Sequence, residues 1–507
     1  MPKQLVLGLS FALCIVTAIL VGSMVTGSMG NPITALGFSL GVVGFLCGIV
    51  KPEVGLAMLV VLSGYLDFFK RFLVMYSNVS MQDVAGVLSA APFTLAGSFL
   101  GCYLACYVLR RRRPPPYLRL VIALVLVLIA SGLGLQYIET RSVNQAITKA
   151  ANDGAYLLMV PVIYVLYWDR PMADILRFWR NVVLFFLPIA LYGMWQFTFG
   201  LNDFEYNYLI SGLTIGINLL SDEQLRPFST LNSPHSFSVM MWFCFILSFV
   251  LVYCLSQKTS LIGKLLPWVF ATALVLSLVR TSMGFALMTL PMVFLMRSRA
   301  LVAFSYAAGT LLFSIVVLNA QRIQDSMDLW YSKLPQGSAF ADQMFRLGTF
   351  SDRLNGYREV ITNPKTWTLF GSQGRDMSTS IKGIETSHDF LSQLIIDRGI
   401  VITGALLLFC GWLLVKAHTA IFRIQDETER RFGAALIALV LLFAGSNLSG
   451  YAFGIFPLNL YVWMMVGFIC VLTIRAVRPL QAPKEIVEEF DDPLPSQPTL
   501  RPSGARI

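Results

Sequence analysis

The chain has 507 residues, of which 56% are hydrophobic and 13% charged, and its net charge is +10. Mean hydropathy is +0.68. A soluble globular protein carries roughly 25% charged residues, so this composition leaves too little polar surface to coat soluble domains. Nor does the positive charge point to nucleic acid. The basic residues cluster between apolar runs, as charges that flank membrane spans do.

A helical span needs roughly 20 mostly apolar residues, with about 17–25 the usual range. By that measure the chain offers about fourteen candidates: 5–25, 33–50, 54–69, 84–109, 118–136, 154–168, 181–200, 235–256, 262–280, 283–297, 300–319, 388–415, 432–446 and 453–475. The shortest are 54–69, 154–168, 283–297 and 432–446, which suit tilted, broken or re-entrant segments. The first run follows only Lys3 and has no small-residue cleavage site after it, so it reads as a retained span. Cys14, Cys47, Cys102, Cys106, Cys244, Cys254, Cys410 and Cys470 all fall in apolar runs and give no disulfide or metal-ligand spacing.

The expected fold is all-α: a polytopic helical membrane protein of about 12–14 transmembrane helices with a large loop. The divisions are an N-terminal transmembrane bundle over 1–320, the loop over 321–387, C-terminal transmembrane helices over 388–478 and a disordered tail over 479–507. The tail is rich in proline and acid.

Basic residues set the orientation. One side carries Lys51, Arg110–Arg113, Arg170, Arg177, Arg180, Lys258, Lys264, Arg297, Arg299, Arg423, Arg430 and Arg431. This side, with both termini, is assigned to the cytoplasm. The other side carries fewer basic residues: Lys70 and Arg71 in one short loop, Arg141 and Lys149 in another. The run Arg110–Arg113 before Pro114–Pro116 reads as a stop-transfer anchor and helix breaker, not as a nucleic-acid patch.

Two outside segments are long, Leu201–Pro234 and Gln321–Ser387, and loops of that length are usually functional or disordered. Aromatic, amphipathic stretches at Trp330-Tyr331 and Leu354–Ile361 favour a folded cap for the second. Arg280 stands at the outside end of a span, where a charge is costly and often functional, or simply snorkels to the interface. His235 follows Arg226-Pro227-Phe228-Ser229-Thr230-Leu231-Asn232-Ser233-Pro234, and a helix start at Ser233-Pro234 explains much of that stretch without chemistry. His388 stands where the large loop re-enters the membrane, either as a general base or as a structural helix-start residue. His418 is assigned to a solvated loop on the basic side. Arg353 and Arg358 can grip phosphate through forked hydrogen bonds or line a solvated helix face. Asn363-Pro364, Gly371 and Gly374 mark turns.

Taken in order, these segments resemble the O-antigen polymerase and O-antigen ligase superfamily of bacterial membrane glycosyltransferases. Lys51-Pro52-Glu53-Val54-Gly55-Leu56 resembles the family's early proline-containing turn. Arg226–Pro234 resembles its arginine-to-proline stretch before a span, and Arg280-Thr281-Ser282-Met283-Gly284 its segment of small residues and arginine. Arg353-Leu354, Tyr357, Asn363-Pro364 and Gly371 follow its loop pattern, with Tyr357 where the family has tryptophan. His388 and Gly399 fit its spaced histidine and glycine.

The resemblance, over roughly residues 50–470, implies transfer of a glycan from undecaprenyl diphosphate to an acceptor sugar hydroxyl at the periplasmic face of the inner membrane. It implies no metal or cofactor. His388, Arg280 and Arg353 would be catalytic, with Arg226, Arg358 and His235 binding substrate. Partners would be the lipid-linked glycan and the bilayer, with a flippase and chain-length regulator in the same pathway and no nucleic acid. Ligation to a lipid A core, or solute transport, are the competing readings.

Overall fold

The computed structural model describes residues 32–76, 90–109, 116–141, 154–210, 220–221, 224–255, 261–295, 364–371, 390–446 and 454–477, with isolated positions between them. Among these residues the fold is all-helical, apart from a two-residue antiparallel pairing of Leu220–Ser221 with Gln224–Leu225. The helices in chain order are α1 (Pro32–Val50), α2 (Pro52–Tyr76), α3 (Ala90–Tyr103), α4 (Pro116–Thr140), α5 (Met159–Tyr167), α6 (Met172–Phe199), α7 (Asp203–Ile210), α8 (Pro234–Phe249), α9 (Leu261–Leu276), α10 (Arg280–Leu295), α11 (Phe390–Ile421), α12 (Glu427–Ser446) and α13 (Leu458–Val477). π-helical turns extend α3 over Leu104–Leu109 and α8 over Val250–Cys254.

Every expected span except 5–25 and 300–319, which lie outside the described residues, falls on one of these helices. Six stretches are long and apolar enough to cross a bilayer: Pro52–Phe72, Leu118–Ile138, Met172–Phe199, Pro234–Cys254, Arg398–Ile421 and Leu458–Ala476. The others are shorter. In hydrocarbon every backbone polar group must be satisfied internally, and the α-helix does this within one segment. The chain is therefore a helical membrane protein. Most of the loop 321–387 and the whole tail 479–507 lie outside the described residues.

The core sits around α8 and α13. Trp179 of α6, Phe243 of α8 and Phe468 of α13 meet there, and Trp242 stacks on Phe443 of α12 with ring centroids 4.8 Å apart. Buried Trp242 donates its indole N–H to Thr289 Oγ1 of α10 at 3.0 Å. By contrast, α4 and α11 turn apolar residues outward, among them Val127, Leu407, Leu408 and Val415, as helices facing lipid do. α1 and α3 pack backbone to backbone. A Cβ added at Gly97 or Gly101 would strike the Gly41 or Phe45 carbonyl, so these small residues set the close approach.

Ion pairs and hydrogen bonds define one end of the bundle. Arg475, in the last turn of α13, donates through Nε to the Trp168 carbonyl at 3.1 Å and through Nη2 to the carbonyls of Tyr167 and Arg170. Its Nη1 stands 3.5 Å from Glu429. Arg170 pairs with Glu53 at the start of α2, and Arg431 donates to the Cys254 carbonyl at 3.0 Å. The basic clusters at Lys51, Arg170 and Arg423–Arg431 thus gather at a common end, as their alternation along the chain predicts. His418 differs from expectation: it lies half-buried in the last turn of α11, not in a loop.

Candidate functional site

The opposite end of the bundle is built on the last turns of α2. Asp67, Lys70 and Arg71 are spaced so that one helix face carries all three. Lys70 Nζ lies 2.7 Å from Asp67 Oδ1, and all three residues are buried. The sequence reading put Lys70 and Arg71 in a loop after a span ending at residue 69. That is corrected: α2 runs on to Tyr76, because both cations find partners inside the bundle. This helix thus carries three buried ionisable side chains.

Arg71 is fully buried. Its Nη1 donates to the Ser229 carbonyl at 2.6 Å, and its Nη2 donates to the Leu231 carbonyl. The guanidinium lies 4.2 Å from the centre of the Phe228 ring and 3.6 Å from Glu205 Oε1. Glu205, in the first turn of α7, accepts from Gln196 Nε2 at 2.6 Å and from the Asn202 backbone at 3.3 Å. Burial pushes the Glu205 carboxyl above the ordinary carboxylate range, with Arg71 opposing.

Gln196, near the end of α6, turns its Oε1 to the Phe228 and Ser229 amides at 3.2 and 2.6 Å. Ser229 Oγ donates to the Ile189 carbonyl, and Thr230 Oγ1 to the Gly64 carbonyl, both at 2.6 Å. These bonds hold Ser229 at φ +53°, a left-handed conformation that a residue with a Cβ adopts at a cost.

The pinned stretch leads into α8. Ser233 caps that helix, accepting from the Ser236 amide at 3.2 Å, with Pro234 in the first turn, which is the helix start read from Ser233-Pro234. His235 is half-buried in the same turn. Three residues on, Ser238 Oγ lies 2.8 Å from Ser282 Oγ of α10. Arg280, also half-buried, opens α10 two residues before Ser282, after a break in which Leu278 takes φ +54°. A helix rises about 1.5 Å per residue, so His235 and Arg280 both stand within a turn of that serine contact, on its side away from the basic loops. Arg226, half-buried, begins the pinned stretch. Of the six site residues predicted from sequence, Arg226, His235 and Arg280 therefore share this end, the last two at adjoining helix N-termini, which favour anions. His388, Arg353 and Arg358 lie outside the described residues.

A second feature belongs to the large loop. Residues 364–371 dock against α11 where that helix is interrupted at Gly399, with φ +74° and ψ 177°. The Ile400 and Val401 amides donate to the Thr368 and Leu369 carbonyls at 3.0 and 3.2 Å. Next to the break, buried Arg398 donates to the Gly132 carbonyl of α4 at 3.3 Å.

Among the described residues no group of three or more histidine, cysteine or acidic side chains could hold a metal ion. Sequence reasoning missed Asp67, Arg71, Gln196 and Glu205. The available signal was three ionisable residues on one face at the end of an apolar run, since charges inside membrane helices mark function by default.

The fold and this end of the bundle define a helical membrane protein with a buried polar network supporting half-buried basic residues. Compared with known proteins, the chain matches no family model and no curated sequence at a significant level.

Proposed function

We propose that the chain is a membrane glycosyltransferase of the O-antigen polymerase and ligase type, working at the outer face of a bacterial inner membrane. One observation carries this reading: Arg226, His235 and Arg280 gather at the end of the bundle opposite the basic loops. If the basic end is cytoplasmic, as are both termini, the gathered residues face the periplasm. A diphosphate-linked glycan meets its acceptor on that side.

In the reaction, the acceptor hydroxyl oxygen attacks the anomeric carbon of the donor. The bond from that carbon to the phosphate oxygen breaks with inversion, and undecaprenyl diphosphate leaves with the bonding electrons. His388 orients the hydroxyl and takes its proton. Arg280 and Arg353 offset the charge that develops on the leaving diphosphate, a task suited to guanidinium because it stays protonated and binds phosphate through two parallel bonds. Arg226, Arg358 and His235 hold the donor. The resemblance of Arg226–Pro234 favours polymerisation of an exopolysaccharide or O-antigen over ligation to a lipid A core. A flippase and a chain-length regulator would then be partners.

Purified protein in detergent, incubated with lipid-linked glycan alone, should lengthen the glycan and release undecaprenyl diphosphate. Release only when lipid A core is added would make it a ligase. No release under either condition would overturn the reading.

A second reading, transport, draws on the buried charges of α2 and the interruption of α11 at Gly399, because discontinuous helices and intramembrane charges are features of transporters. Proteoliposomes that accumulate glycan without cleaving its phosphate bond would favour it.

A further inference from the structure

Arg71 is fully buried at this end of the bundle, and the proposed chemistry does not use it. Placing a guanidinium inside an apolar helix carries a large desolvation cost, and a hydrophobic residue of similar volume often serves stability as well or better. What Arg71 supplies is geometry. Its fork fixes two carbonyls two residues apart, those of Ser229 and Leu231, while Glu205 Oε1 stands 3.6 Å from the Nη1 that binds Ser229. Meanwhile, Gln196 binds the Phe228 and Ser229 amides. As a result every polar atom of Ser229 is engaged: its amide by Gln196, its carbonyl by Arg71 and its hydroxyl by Ile189. Ser229 stays left-handed because α2 and α6 over-determine it. The segment held in this way is the one that carries Arg226 at one end and His235 at the other.

We propose that Arg71 is a positioning residue: through Ser229 and Leu231 it holds the Arg226–His235 segment in the form that binds the diphosphate of a lipid-linked donor. This rests on the reading of Arg226 and His235 as donor-binding residues. Arg71 itself touches no substrate.

Two variants test it. Arg71→Lys keeps the charge and loses the fork. The double variant Arg71→Met with Glu205→Gln removes both charges together, so that neither is left buried alone, and it covers the case in which Arg71→Lys fails to fold. In nanodiscs, hydrogen exchange of the amides of residues 228–233 should speed up in both variants. The Kd for undecaprenyl diphosphate should rise roughly tenfold or more, the equivalent of one charge-assisted hydrogen bond. In the transfer assay KM for the donor should rise while kcat per folded molecule holds. A defect of folding alone would lower the active fraction and leave Kd and KM where they were.

Unchanged exchange in both variants would overturn the proposal, as would faster exchange with unchanged Kd. If the wild type binds undecaprenyl diphosphate and Arg71 controls that affinity, yet no glycan is transferred, glycosyl transfer fails and the positioning role stands. If the wild type does not bind the lipid diphosphate, the positioning role fails with it.

Discussion

Gly371 and Gly399 meet backbone to backbone, so that a Cβ on Gly399 would run into the Gly371 nitrogen and the Leu369 carbonyl oxygen. The sequence marks Gly371 as a turn residue and Gly399 as the partner of His388 in the resembled histidine–glycine spacing, and the fold brings the two glycines together across 28 residues of chain (399 − 371). Gly399 also sits at φ +74°, where an L side chain is strained. Gly399→Ala should therefore lower stability by about 2 kcal/mol or more, from roughly 1–3 kcal/mol of strain in a backbone region that only glycine populates readily and about 1–3 kcal/mol of overpacking. Thermal unfolding of purified protein in detergent reads this directly. Equal unfolding temperatures for the two proteins would mean that the docking of 364–371 on the break does not hold.

The two ends of the bundle make orientation testable. Tyr206 on α7 is exposed at the candidate-site end, and the exposed Glu427 side chain opens α12 at the basic end. With the native cysteines replaced, a membrane-impermeant maleimide added to intact cells should label Tyr206→Cys and leave Glu427→Cys unlabelled until the membrane is opened. The reverse pattern would put the candidate site in the cytoplasm and end the case for a lipid-linked periplasmic donor.

The helices were legible because a membrane span is long and apolar whatever it packs against. The basic end was legible because its arginines and lysines recur in every second connection. Arg71 and Lys70 were misread for the same reason. An arginine at the end of an apolar run looks like a flanking charge, and only the carbonyls of Ser229 and Leu231, 158 and 160 residues away, make it a buried one. Gln196 and Glu205 carried no signal in sequence, since neither belongs to a motif and their partners come from three different segments. Ser233-Pro234 was readable because a helix cap is a local device. The nearness of His235 to Arg280 was not, because it depends on Ser238 meeting Ser282 across two helices.

The proposed division of labour separates charge from shape. Arg280→Lys keeps the positive charge at the start of α10 but loses planar two-bond contact with phosphate, so transfer should fall by about tenfold to a hundredfold, on the scale of one or two charge-assisted bonds. Arg353→Lys should behave alike. His388→Ala should abolish polymer formation while the protein reaches the membrane at its normal level. Glycan length and yield, read by gel alongside membrane abundance, decide each case, and full-length polymer from His388→Ala would remove that residue from the chemistry.

Glu205 gives the buried network a pH dependence with a definite sign. Burial raises its folded pKa, and the contacts from Arg71, Asn202, Tyr192 and Gln196 only partly offset that. The folded state therefore holds the proton more tightly than the unfolded one, and stability falls as pH rises from the ordinary carboxylate value to the folded pKa. Below that window Glu205 is protonated in both states and exacts no penalty; above it the whole cost of a buried carboxylate is present. Glu205→Gln removes the titration and stays neutral throughout. Its unfolding temperature relative to wild type should accordingly be lowest in acid, rise through the window and level off beyond the folded pKa. A difference between the two proteins that falls with rising pH would mean that the charged form is the stabilised one, with Arg71 outweighing desolvation.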